Sequence, residues 1–227
     1  MAKNYGKSYM IPYEYAVKNI RTIIDNLSKT YPKALTTSLN SKNALQLLIA
    51  TILAAQSTDK LVNKVTPALF KKYKTVKDFA EANLEELQED IRSTGFYRNK
   101  SLAIIKCCKD IIEKFDSKVP DNIDDLIKLH GVGRKTANVV LADAFNKEGI
   151  IVDTHMLRIS NLTGLTVNKD ATKVEFDLQK IIPKGRWTDF SHKIVEHGRT
   201  ICIARRPKCD ICPINEFCRY YRDSLEA

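Results

Sequence analysis

Four of this chain's six cysteines fall within its last 26 residues, at Cys202, Cys209, Cys212 and Cys218, spaced C-x6-C-x2-C-x5-C. Pro207, Pro213 and a shortage of apolar neighbours leave that segment little core of its own. Four deprotonated sulfurs converging on one soft metal centre would supply the missing folding energy. Structural zinc sites are usually built from two C-x2-C knuckles, and only one such pair is present. A single compact loop of four cysteines suits a cubane [4Fe–4S] cluster at least as well. Cys107 and Cys108 lie inside a helical pattern and read as small buried hydrophobes.

The metal reading depends on a reducing compartment, where disulfides seldom persist. Met1 to Tyr13 is polar and lacks the apolar stretch of a secretory signal, and Glu14 and Asp25 argue against an acid-poor transit peptide. No run approaches the roughly 18 apolar residues of a membrane span. The expectation is a cytoplasmic protein, nucleoid-associated if prokaryotic. Thirty-seven Lys and Arg against 27 Asp and Glu give a net charge of +10, which favours a polyanionic partner. Charge alone does not separate that from an ordinary solvated surface, but Arg205, Arg206 and Lys208 sit inside the cysteine loop. Tied down by four ligands, they suit a rigid arm that contacts phosphates.

Helical periodicity dominates the remainder. Tyr13, Val17, Ile20, Ile24 and Leu27 form one stripe, ended by Tyr31-Pro32. Asn43 to Ala55 is apolar enough for a buried helix, and Val62, Val65, Leu69 and Phe70 mark another. Leu102, Ile105, Ile112 and Phe115 trace a face of a long helix before Val119-Pro120. Further helical patterns follow from Ala137, Met156, Val174 and Trp187. Only Leu35–Leu39 and Gly149–Val152 suggest short strands, so the fold class is all-α.

Between two of these helices, Leu129-His130-Gly131-Val132-Gly133 reads as a tight turn, with helix resuming at Arg134. Glycines on either side of Val132 permit unusual backbone angles and expose amides at a helix N-terminus, where they can hold a phosphate without reading a base. The pattern is that of a helix–hairpin–helix. Asp153, in Val152-Asp153-Thr154-His155, stands where a helix begins and by itself is a plain N-cap.

Together, Leu129-His130-Gly131-Val132-Gly133-Arg134-Lys135-Thr136-Ala137, Val152-Asp153-Thr154-His155 and the cysteine ladder resemble the endonuclease III family, over about Asn43 to Tyr220. The resemblance implies two helical domains flanking a DNA-binding cleft. Residues 37–147 would be a six-helix domain ending in the helix–hairpin–helix. Residues 1–36 with 148–227 would be a discontinuous domain carrying a [4Fe–4S] cluster on Cys202, Cys209, Cys212 and Cys218. It implies a monomer acting on double-stranded DNA with damaged bases or abasic sites, with no membrane role. Lys135 matches the family's nucleophile and Asp153 its catalytic carboxylate. Gln56 resembles the residue that fills the gap left by an extruded base, and Phe96 the apolar wedge that opens the stack. Gly131, Val132, Gly133 and Arg134 would contact the backbone. The implied activity removes oxidised pyrimidines and cuts 3′ to the abasic site by β-elimination through a lysine Schiff base. His130 takes a turn position commonly held by proline, and Phe96 is bulkier than the usual leucine. Adenine glycosylases share the scaffold but lack the lysine, and a non-enzymatic DNA-binding module would leave Lys135 and Asp153 unexplained.

Overall fold

The structure is a computed structural model and describes residues 12–226. Most of the polar N-terminal segment, read above as lacking a secretory signal, lies outside the described residues. The chain divides into two compact units: one takes residues up to Thr36 and again from Glu148, the other is Thr37–Lys147.

Thirteen α-helices form among the described residues, and no strand. The Thr37–Lys147 unit holds seven of them: α3 (Ala44–Ala54), α4 (Asp59–Lys72), α5 (Val76–Ala80), α6 (Leu84–Ile91), α7 (Tyr97–Phe115), α8 (Ile123–Leu126) and α9 (Arg134–Phe145). The other unit begins with α1 (Glu14–Lys18) and α2 (Ile20–Thr30) and resumes with α10 (Thr154–Thr163), α11 (Ala171–Ile181), α12 (Trp187–Thr200) and α13 (Arg219–Leu225).

Helix starts carry their own signals. Asn43 Oδ1 accepts from Gln46 N at 2.9 Å, Thr58 Oγ1 from Leu61 N at 3.2 Å, and Thr75 with Asp78 forms a reciprocal capping box. The apolar run of α3 is buried on nearly every side, packing on α4, α7 and α9. Leu48, Ile49 and Leu53 are fully buried, and each contributes roughly 1.5–3 kcal/mol of transfer free energy.

Three sequence expectations change here. The buried face of α7 is Ile104, Ile105, Cys107, Cys108 and Ile111, whereas Leu102 and Ile112 are exposed. Period counting found the right helix but included two residues from its outer side. Gly149–Val152 is extended yet pairs with no strand: Gly149 N donates to Thr188 Oγ1 at 3.3 Å and Ile151 N to Ser191 Oγ at 3.0 Å. Hydroxyls of α12 supply what a neighbouring strand would, so three apolar residues, Ile150 to Val152, are buried without a sheet. Leu35–Leu39 also forms no strand.

In the discontinuous unit, α10 packs on α12 and α13, and α12 on α2. Its core joins Ile24 and Leu27 to Met156, Ile159, Phe190 and Ile194, and takes in Ile214 and Phe217 from the cysteine loop. Gly198 lets α10 and α12 approach closely, since a Cβ there would fall 2.8 Å from His155 Cγ.

Candidate functional site

Within the Thr37–Lys147 unit, helix α7 organises the candidate DNA-facing residues. Phe96, Ala103 and Asp110 are spaced seven apart, so they share one side of that helix. Phe96 caps its start in the left-handed region (φ 49°, ψ 25°) and leaves its ring 61 % exposed. Holding a bulky residue there costs about 1–2 kcal/mol, and exposing the ring forgoes its burial as well. Gln56 is held in the same region (φ 53°) just after α3. Local strain at two residues already singled out as stack-entering side chains is the pattern expected of a functional site.

The turn before Phe96 is fastened by Lys100, whose buried Nζ donates to Thr94 O at 2.8 Å. Burial pushes the ammonium of Lys100 below the ordinary lysine range. Sequence reasoning missed this residue, because a lysine in Arg98-Asn99-Lys100 looks like any solvated cation.

Farther along α7, Asp110 Oδ2 accepts from His130 N at 2.9 Å, and Asp110 also pairs with Lys114. Burial raises the Asp110 carboxyl, but the Lys114 and His130 contacts outweigh it and hold the group below the usual carboxylate range. A proline at position 130 has no N–H to give, so the histidine found here brings a tether of its own. Gly131 then turns with φ 77°, and a Cβ there would lie 2.9 Å from Ala103 Cβ. Val132 is buried, and Gly133 stands at the N-cap of α9 with no side chain to bond the first turn. No side chain caps that turn, so its amides are the groups that an anion there would meet. Lys135 occupies the second position of the same turn and is exposed. Replacing Gly131 by alanine is expected to lower the melting temperature by roughly 3–8 °C, from about 1–2 kcal/mol of strain. Calorimetry and duplex anisotropy would read this; unchanged melting and affinity would contradict the geometry.

In the other unit, Asp153 is the N-cap of α10: Oδ1 accepts from Met156 N at 2.8 Å, and Oδ2 has no hydrogen bond among the described residues. The carboxylate is thus positioned by one oxygen and open at the other. His155, two residues on, is pushed below the usual histidine range by burial, against the raising effect of Asp153, and its Nδ1 is buried without a partner. Arg158 Nη2 donates to Gly198 O at 3.4 Å and to Cys202 O, so the helix capped by Asp153 is bonded directly to the start of the cysteine loop.

Cys202, Cys209, Cys212 and Cys218 are free thiols that line one cavity, walled by Ile159, Leu162 and Ile214. Burial pushes the thiols of Cys212 and Cys218 up to about 12, so deprotonation there needs a metal's positive charge. Among the described residues no three His, Cys, Asp or Glu are gathered tightly enough for a single ion. The four thiols lining the cavity would hold a [4Fe–4S] cluster, which takes cysteine thiolates as its ligands. Arg205, Arg206 and Lys208 are exposed on the same loop, which Lys208 N closes by donating to Ile201 O at 3.0 Å.

Known proteins match this chain over most of its length. Residues 49–184 match the model of HhH-GPD superfamily base excision DNA repair proteins, and residues 202–218 match the iron–sulfur binding domain of endonuclease III. Endonuclease III of Synechocystis sp. is 49 % identical over 193 residues, covering 85 % of this chain and 88 % of that protein. The Bacillus subtilis protein is 44 % identical over 204 residues, covering 89 % and 93 %. A solved structure of a trapped endonuclease III–DNA covalent intermediate superposes with a TM-score of 0.87 at 44 % identity, covering 92 % of this chain and 98 % of the other.

Proposed function

This chain belongs to the endonuclease III family, and on that premise we propose how its residues share the work of base-excision repair. The enzyme is a DNA N-glycosylase with abasic-site lyase activity that removes oxidised pyrimidines from duplex DNA and carries a [4Fe–4S] cluster. One observation carries the assignment of roles: an exposed lysine, Lys135, in the first turn of a helix that begins at an uncapped glycine hairpin. Phosphates held by the hairpin amides bring a sugar within reach of that side chain.

In this reading the damaged base is rotated out of the duplex, Phe96 enters the stack and Gln56 fills the gap. Unstacking costs a few kcal/mol, less for a lesion that already stacks badly. The neutral amine of Lys135 attacks C1′ while the bond to the base breaks. The open Oδ2 of Asp153 stabilises the positive charge that grows on the sugar. The departing base takes up a proton and the amine loses one. Opening of the sugar ring then breaks the C1′–O4′ bond, with O4′ protonated, to give a Schiff base, and removal of a C2′ proton expels the 3′ phosphate by β-elimination. The cluster, held by Cys202, Cys209, Cys212 and Cys218, supplies structure, since base removal requires no net electron. Gly131, Val132, Gly133 and Arg134 in one unit, and Arg205, Arg206 and Lys208 in the other, contact the backbone. The enzyme works as a monomer on duplexes carrying damaged bases or abasic sites, in the cytoplasm. Among the described residues no helix is long and apolar enough to cross a membrane.

The test is a denaturing gel of the cluster-bearing protein incubated with a duplex containing one thymine glycol, beside the same duplex undamaged. Cutting at the lesion alone is expected. No cutting of the lesion duplex, with the cluster intact, would overturn the substrate reading.

A further inference from the structure

Beside the cysteine cavity lies a chain of polar groups that neither base removal nor the lyase step uses. His197 is buried to 1 % on α12, beside the apolar cluster of its unit. Its Nε2 lies 3.5 Å from Cys212 Sγ and its Nδ1 lies 2.9 Å from the Tyr31 hydroxyl. The Tyr31 oxygen is also 3.2 Å from Thr200 Oγ1, whose own hydroxyl donates to Glu196 O at 2.8 Å. Tyr31 stacks edge-on against the imidazole, with ring centroids 5.8 Å apart. Both ring nitrogens therefore have a fixed partner, and one partner is a cluster ligand.

The direction of these bonds follows from proton counting. A cluster-bound Cys212 is a thiolate, which can only accept. Nε2 must then carry the proton, which leaves Nδ1 of the neutral ring as an acceptor, and the Tyr31 hydroxyl donates to it. We infer that His197 is a cluster-tuning residue: it donates an N–H···S hydrogen bond to Cys212 in a tautomer set by Tyr31, and so raises the cluster's reduction potential. Adding one electron increases the negative charge on the iron–sulfur core and its thiolates. A donor aimed at one of those sulfurs stabilises the reduced member of the couple more than the oxidised one. A second consequence concerns persistence. The buried ring and the tyrosine occupy the approach to Cys212 Sγ, so water and oxidants reach that ligand less readily.

The inference rests on the four cysteines holding the cluster, and the experiment separates the two claims. Direct voltammetry of the cluster-bearing protein is compared with His197→Leu, which removes the donor, and His197→Gln, whose amide nitrogen replaces Nε2 as a donor. His197→Leu is expected to move the potential negative and to bleach the visible absorbance faster in air, with His197→Gln recovering most of the shift. Tyr31→Phe, which frees the tautomer, is expected to move it in the same direction by less. Pulsed electron paramagnetic resonance of the unaltered protein labelled with ¹⁵N-histidine gives a second reading should the leucine variant lose its cluster. A histidine nitrogen coupled to the cluster is expected, and its absence overturns the hydrogen bond. An intact cluster with unshifted potential in His197→Leu also overturns the inference alone. A colourless unaltered protein would overturn the ligand assignment as well.

Discussion

Replacing Lys135 by glutamine is expected to abolish both strand cleavage at a lesion and the covalent adduct that borohydride traps. The loss in rate should be on the order of 10³-fold or more, the scale on which removing an attacking nucleophile acts in other enzymes. Folding should be untouched: Lys135 is exposed on the first turn of α9, and surface changes of this kind move stability by no more than about 0.5 kcal/mol. Duplex binding should persist, because the hairpin amides and the basic loop remain. A variant that still cuts and still forms the adduct would show that the amine belongs to another residue. Melting curves, duplex anisotropy and trapping gels on one preparation keep a folding defect distinct from a chemical one.

The second large effect concerns the cysteine loop. Substituting Cys212 by alanine is expected to cost the protein its yellow-brown absorbance and to expose the 202–218 segment to proteolysis. Without the cluster, that segment is held chiefly by Ile214 and Phe217, which contribute roughly 3–6 kcal/mol of apolar burial. Ordering the same stretch costs backbone entropy at every residue, so without the cluster the balance goes to the unfolded segment. Cys107→Ala is the matched control: that thiol is fully buried in α7, burial keeps it protonated, and its loss should leave the colour intact. Retained colour and protease resistance in Cys212→Ala would remove Cys212 from the ligand set.

The parts of this molecule legible in its sequence are those whose partners are close along the chain. The cysteine ladder could be read because its spacing is itself the constraint. Asp153 could be read as a helix start because an N-cap bonds only three residues ahead, as Oδ1 does to Met156. The glycine hairpin announced itself by Gly131, which turns at φ 77°, whereas Gly133 takes extended backbone that any residue adopts. Side chains whose role depends on distant partners were not legible. Lys100 reads as a surface cation, and only the fold shows its Nζ buried against Thr94 O. Asp110 carries no sign that it accepts from His130, twenty residues on. His197 lies five residues before the first ladder cysteine, yet its partners Tyr31 and Cys212 come from opposite ends of the chain. Gln56 and Phe96 adopt positive φ without being glycine, and no local propensity predicts that. Gly149–Val152 misled in the opposite way, since its apolar run is that of a strand while its partners are hydroxyls on a helix.

The central claim is that the amine of Lys135 forms the covalent bond to the sugar. The most direct measurement traps the protein on an abasic-site duplex with borohydride, digests both components, and locates the added sugar mass by peptide sequencing in a mass spectrometer. The account predicts that the mass sits on Lys135, within the stretch following Gly133, and on no other amine. Finding it on a different lysine or on the N-terminal amine would contradict the account, however well the hairpin binds DNA.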